Sequence, residues 1–217
     1  VTHLRRGGFV AFEGGDGAGK TTQLDLLESW FQEQAVPYER TREPGGTAIG
    51  ERIRSLVLEH DQGEIDPRTE ALLFAASRAA HVVQRIEPAL EAGRFVLCDR
   101  YVDSSVAYQG EGRELGTEAV AAINGFATGG LQPDLTVLLD LDPAAARARR
   151  EGRAGRSDRI ESAEDAFHDR LRHAFLTRAE AAPGRYLVLE ASGPAQELHT
   201  QIRARVQELL GQELLNS

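Results

Sequence analysis

Gly14-Gly15-Asp16-Gly17-Ala18-Gly19-Lys20-Thr21 fits the pattern GxxxxGK[ST], and the reading of the whole chain turns on it. Glycines let successive backbone N–H groups turn toward phosphate oxygens, and a helix that starts at the end of the loop adds its positive pole. A lysine there is suited to bridge the β and γ phosphates of a nucleoside triphosphate, and the hydroxyl of Thr21 to ligate magnesium. The flanks agree. Phe9-Val10-Ala11-Phe12 is a short apolar run that reads as a buried strand entering the loop. Thr22 to Gln34 carries Leu24, Leu26, Leu27, Trp30 and Phe31 near a 3.6-residue period, an amphipathic helix leaving it. Gly14 through Thr22 is therefore expected to hold a nucleoside triphosphate.

Outward from this loop, apolar strands alternate with helical stripes. Tyr38 to Arg42 is a strand candidate stopped by Pro44-Gly45-Gly46, and Ile49, Ile53, Leu56 and Val57 mark the next helix. Asp66 is an expected N-cap with Pro67 at the first helical position, opening a long helix with a kink at Pro88 and a C-cap at Gly93. Phe95 to Cys98, Leu135 to Leu139 and Tyr186 to Leu189 are further strands, each followed by an acid: Asp99, Asp140 and Glu190. Gln196 to Leu210 closes the chain as a helix. Strands that are apolar throughout, rather than alternating, belong to a parallel sheet covered on both faces. The expected fold is α/β: three layers, a five-stranded parallel sheet of the P-loop NTPase type, one domain over residues 1–217 and a short arginine-rich lid near 147–160.

Composition sets bounds. A net charge of −9 argues against a general nucleic-acid binder, while leaving room for a small anion held by local arginines. The single cysteine, Cys98, excludes an intramolecular disulfide, and no run of residues is apolar enough to span a membrane. The expected location is the cytoplasm. Lys20 is the only lysine, so neither an Asn-Lys-x-Asp guanine loop nor a second signature lysine exists, which removes signalling GTPases and the ATPases that carry one. Kinases for small acceptors remain, beside nucleotide switches without turnover. A kinase needs a second anion site facing the γ phosphate, and Arg42, Arg54 and Arg100 stand near strand ends where ligands of parallel sheets bind.

Several segments carry a more specific likeness: the glycine loop through Thr22, Thr41-Arg42-Glu43-Pro44-Gly45-Gly46, Leu73-Phe74-Ala75-Ala76-Ser77-Arg78, Asp99-Arg100-Tyr101-Val102-Asp103-Ser104-Ser105-Val106-Ala107-Tyr108-Gln109-Gly110, Pro133-Asp134-Leu135-Thr136 and Asp158-Arg159-Ile160-Glu161. In this order the chain resembles thymidylate kinase over nearly its whole length, in the bacterial branch. The resemblance implies transfer of the γ-phosphate of ATP to thymidine 5′-monophosphate (dTMP) in dTTP synthesis, with magnesium, in a homodimer. It implies that Asp16 holds the 3′-hydroxyl of the acceptor and that Arg54 and Arg100 hold its phosphate, with Ser104 nearby. Phe74 would stack on thymine, Arg78, Ser105 and Gln109 would bond its polar edge, and Tyr108 would press on the sugar. Asp99 and Glu43 would organise magnesium, with a cis Glu43–Pro44 bond aiming them. From the residues alone, Phe74 and Tyr108 could equally be core, and Asp140 is a rival metal ligand.

The acceptor would be a phosphate dianion at neutral pH, so no general base is needed, and the obstacle is repulsion between anions. Some relatives answer it with an arginine at the position held here by Gly17. This chain instead has Arg147, Arg149, Arg150, Arg153, Arg156 and Arg159 around Gly152 and Gly155, which matches the branch with a catalytic lid arginine. Arg153 is the first candidate, then Arg149 or Arg156. Adenine contacts are expected from the loop Ala191 to Gln196 and a lid arginine. A kinase for another nucleoside monophosphate, a deoxynucleoside kinase with Glu43 as base, and a regulatory nucleotide-binding module remain alternatives.

Overall fold

The computed structural model describes residues 6–60, 63–151 and 165–215. The strands are β1 (Phe9–Glu13), β2 (Tyr38–Arg42), β3 (Phe95–Asp99), β4 (Leu135–Asp140) and β5 (Tyr186–Glu190), joined in one all-parallel sheet of order β2-β3-β1-β4-β5. The helices are α1 (Lys20–Glu33), α2 (Ala48–Leu58), α3 (Pro67–His81), α4 (Glu87–Glu91), α5 (Val102–Ser105), α6 (Thr117–Thr128), α7 (Pro143–Glu151), α8 (Asp165–Ala181) and α9 (Ala195–Leu215). The α/β fold expected from the sequence is the one observed.

Alternation along β1 explains the layers. Val10 and Phe12 point to one face, where Leu24, Leu27 and Phe31 of α1 and Ile202 and Val206 of α9 cover them. Phe9 and Ala11 point to the other, against Ile86, Leu90 and Tyr101. Further along that face, Leu138 and Tyr186 meet Leu171 and Phe175 of α8. The edge strand β2 is Tyr-Glu-Arg-Thr-Arg, and charged side chains on an edge discourage pairing with another chain.

Local signals hold at the helix ends. The Asp66 carboxylate accepts from Arg68 N at 3.0 Å and Thr69 N at 3.2 Å, capping α3 as expected, and Gly93 takes φ +72° beyond α4. A π-helical turn, Val82–Ile86, precedes the proline at which a kink was expected, and Pro88 itself falls in the first turn of α4.

Strand order positions the site. After β1 the chain passes beyond β3 to build β2, and after β3 it crosses to the other side of β1 to build β4, so the connections diverge between β1 and β3. Phe12, Arg42 and Asp99 lie level across the three strands. The segments leaving β1, β2 and β3 therefore emerge together at one edge, the crevice where such sheets bind ligands. The lid expected near 147–160 begins in α7, but Arg153, Arg156, Arg159 and the Asp158–Glu161 segment lie outside the described residues.

Candidate active site

The glycine loop runs from β1 into α1 as read. Gly14 has φ +128°, and a Cβ there would sit 2.4 Å from Leu139 O, so only glycine fits at that turn. Lys20 Nζ spans the loop, donating to Gly14 O and Gly15 O at 3.0 Å each. Burial, and then the neighbouring Arg100, push the Lys20 ammonium down to about 8, against the pull of Asp16, Asp99 and Glu13. Thr21 and Thr22 are exposed on the first turn of α1.

A cleft of about 280 Å³ opens above Lys20. Of the residues singled out in the sequence, Asp16, Gly17, Gly19, Thr21, Arg42, Glu43, Arg54, Phe74, Arg78, Asp99, Arg100, Ser104, Ser105, Tyr108 and Gln109 all line it, although they come from five segments of the chain. Pro44 and Leu58 complete the wall.

Arg100 occupies the centre. Its backbone is left-handed, φ +68°, with its N–H bonded to Phe12 O at 2.9 Å, a conformation an arginine adopts only when its surroundings impose it. Nη1 donates to Gly14 O at 3.1 Å and Ser104 Oγ at 3.0 Å, while Nη2 donates to Asp16 Oδ1 and to Tyr108 OH at 3.3 Å. Tyr108 OH in turn donates to Asp16 Oδ2 at 2.9 Å. Burial works against charge on Asp16, but Arg100, Lys20 and the Tyr108 hydroxyl together hold its carboxyl well below the usual range. Burial also disfavours the Arg100 cation, yet Asp16 and then the other acids around it keep that guanidinium firmly protonated. On the other wall Arg54 Nη1 donates to Pro44 O at 3.0 Å.

A second arginine, Arg78, is buried under the cleft. Nε donates to Glu43 Oε2 at 2.5 Å, Nη1 to Ser105 Oγ at 2.9 Å and to Asn124 Oδ1, and Nη2 to Tyr101 O at 3.0 Å. The other Glu43 oxygen pairs with His81 Nδ1 at 2.9 Å. The Glu43–Pro44 bond is cis. Glu43, expected from the resemblance to organise magnesium, has one oxygen paired with Arg78 and the other with His81, and its side chain is 2% exposed. Gln109 Nε2 is bound to Glu70 Oε1 at 2.9 Å. Phe74 is 8% exposed, packed with Ile53 and Val57 yet reaching the cleft.

For magnesium, the relevant observation is that Asp99 Oδ1 is buried without a hydrogen-bond partner, and that Asp99 and Thr21 both line the cleft. No group of three or more His, Cys, Asp or Glu able to hold a metal exists among the described residues. Magnesium takes one or two protein oxygens and completes its shell with phosphate and water. The rival Asp140 is bound through both oxygens to Arg172, at 2.6 and 2.9 Å, outside this cleft.

Three residues here were not read from the sequence. Glu13, fully buried at the end of β1, accepts from Tyr101 N, Ser104 N and Ser104 Oγ at 2.8, 3.2 and 2.6 Å and so anchors the turn carrying Arg100. Burial, and then Asp103, push its carboxyl up to about 7. His81 and Asn124 hold Arg78 and its partner. An acid inside an apolar strand run and an asparagine in mid-helix were the available signals. At Arg149, Nη2 donates to Ala191 O at 2.9 Å, which joins α7 to the loop expected to meet adenine.

A P-loop at the central strand, facing an arginine-lined cleft with an aromatic wall, defines a phosphotransferase that hands a nucleotide's terminal phosphate to a small anionic acceptor. The thymidylate kinase family profile matches residues 12–202. Thymidylate kinases of Clavibacter sepedonicus and Cutibacterium acnes are 52% and 50% identical to this chain over 94% of its length, covering 96% and 98% of their own. That of Deinococcus radiodurans is 50% identical over 94% of the chain. The chain belongs to the thymidylate kinase family. Its activity is ATP-dependent phosphorylation of thymidine monophosphate.

Proposed function

We propose that this cleft performs the reaction with the following division of labour. The loop from Gly14 to Thr22 and Lys20 bind the ATP phosphates. Thr21 and Asp99 are the residues that would hold magnesium, which would add positive charge beside the transferring phosphate. Arg100, with Arg54 across the cleft, binds the acceptor phosphate, which needs charge neutralisation and alignment rather than a base. Asp16 receives the 3′-hydroxyl by sharing oxygens that now face Arg100 and Tyr108. Phe74 is the platform for thymine, and Arg78, with Ser105 and Gln109, reads its polar edge. Tyr108 leaves no room for a 2′-hydroxyl. Ser104 steadies Arg100. A lid arginine, with Arg153 the first candidate and Arg149 or Arg156 next, supplies charge that Gly17 lacks.

The observation that carries this reading is Arg100: a strained, part-buried guanidinium within reach of the P-loop carbonyl Gly14 O and of Asp16. Such a group is out of place opposite a neutral hydroxyl acceptor and apt opposite a phosphate. Coupled ADP release tests it. Release with dTMP and none with thymidine supports the assignment; the reverse pattern overturns it.

The homodimer belongs to the same proposal. Leu72 and Val83 along and just beyond α3, and Phe126 on α6, are 57%, 65% and 92% exposed, on neighbouring helices. Such large apolar side chains favour cover by a second copy. We likewise infer a single working domain, and a cytoplasmic one, where ATP is available and the lone thiol of Cys98 stays reduced. Among the described residues no helix is long and apolar enough to cross a membrane.

A further inference from the structure

The loop leaving β2 is built around a histidine that does not itself line the cleft. His81, at the end of α3, is 0% exposed. Its Nδ1 pairs with Glu43 Oε1 at 2.9 Å and its Nε2 with Thr41 Oγ1 at 2.5 Å. A carboxylate only accepts, so Nδ1 carries the ring proton and donates it to Glu43. The backbone is moulded to the ring: Gly46 has φ +77°, and a Cβ there would lie 2.7 Å from His81 Cδ2 and Nε2 and 2.8 Å from Thr41 Oγ1. Gly45 N donates to Ser77 Oγ at 3.2 Å, one helical turn before His81 on the same face of α3.

This arrangement bears on Arg78. Its guanidinium has five N–H groups, and its bonds to Glu43, Ser105, Asn124 and Tyr101 O use four of them. One N–H on Nη2 is left for a ligand. Where it points depends on the plane of the guanidinium, and the Nε edge of that plane is set by Glu43. Glu43 is in turn fixed by His81, and His81 by Thr41 in the sheet. Without His81, Glu43 Oε1 would be buried with no donor, and the carboxylate would have to turn toward another partner.

We propose that His81 is a positioning residue for recognition of the acceptor base: acting through Glu43, it holds Arg78 in the orientation that accepts a thymine carbonyl and rejects an amino group at the same place. The inference rests on the assignment of Arg78 to the base edge. An N–H donor suits the carbonyl of thymine and faces the amino group of cytosine without an acceptor, so the ratio of kcat/KM for dTMP over dCMP reports the alignment.

The test compares His81→Leu, His81→Asn and Thr41→Val with the wild type, measuring KM for dTMP, KM for ATP and the dTMP/dCMP ratio. His81→Leu is expected to raise the dTMP KM about tenfold, the loss of one charged-group hydrogen bond, and to lower the ratio by a similar factor, with the ATP KM within about twofold. His81→Asn, whose amide can still donate to Glu43, is expected to restore most of both. A purely structural role would reduce the amount of active enzyme or affect both substrates alike, and an unchanged ratio in His81→Leu overturns the proposal. Should His81→Leu not fold, Thr41→Val decides by the same ratio, a fall supporting the proposal and no change overturning it. Arg78→Ala separates the two levels. If it leaves the ratio unchanged, the base-edge assignment fails and this inference with it; if it lowers the ratio while His81→Leu does not, only the inference fails.

Discussion

Lys20 and Glu13 both feel the charge of Arg100, and each has a proton affinity that its surroundings have moved toward neutrality. The Lys20 ammonium is held at about 8 by burial and by Arg100, so part of the population is neutral at about pH 8.5. Bound triphosphate restores the charge, and ATP binding at that pH should then take up protons. Titration calorimetry in two buffers of different ionisation enthalpy is expected to show buffer-dependent heats, absent in Lys20→Ala, which should also lose turnover. Equal heats in both buffers would count against the arrangement. Glu13 moves the other way, from an ordinary 4.5 to about 7, because burial and then Asp103 disfavour its charge. Its native form binds the proton more tightly than the unfolded chain does. The stability this contributes is complete below about pH 4.5 and is lost as pH rises through about 7. Glu13→Gln should flatten that decline, by on the order of 2 kcal/mol between about pH 4.5 and 7.5, in urea unfolding followed across pH. Parallel profiles for the two proteins would contradict it.

The lid and the loops at the sheet edge differ in how far sequence reveals them. The proposed lid mechanism has the arginines that start in α7 supply the charge that Gly17 cannot. Alanine at Arg149, Arg153 and Arg156 together is expected to lower kcat by about 10³-fold or more, with acceptor binding much less affected. An unchanged kcat would remove the lid mechanism. The glycine loop, the strands and the Asp66 cap were legible because each depends on neighbours within a few residues. The order β2-β3-β1-β4-β5 was not, since no local pattern says that Phe12 lies level with Asp99. The two π-helical turns, Val82–Ile86 and Val106–Gly112, were hidden because their apolar spacing still looks helical. The resemblance brought Arg100 and Asp16 to one ligand; their ion pair joins residues 84 apart in sequence and needed coordinates. The pairing of Glu43 with Arg78 and His81, 35 and 38 residues away, needed coordinates for the same reason.

Taken as a whole, the molecule sets a cationic cleft in a chain of net charge −9 and leaves an apolar patch exposed at Leu72, Val83 and Phe126. If that patch joins two copies, Phe126→Glu should convert a dimer to a monomer in sedimentation equilibrium; an unaltered mass would refute the interface. In the proposed assignment the cleft is specialised in three respects at once: phosphate against Arg100 and Arg54, deoxyribose against Tyr108, and thymine against Phe74 and Arg78, all of which line it. Each respect removes a class of competitor, and they can be read together. The decisive measurement is kcat/KM, by ATP-dependent ADP release, for dTMP, dCMP, the ribonucleotide UMP and thymidine. The expected result is a preference for dTMP of about 10² or more over both other monophosphates, with no turnover of thymidine. Comparable rates for dTMP and dCMP, or turnover of thymidine in place of dTMP, would contradict it.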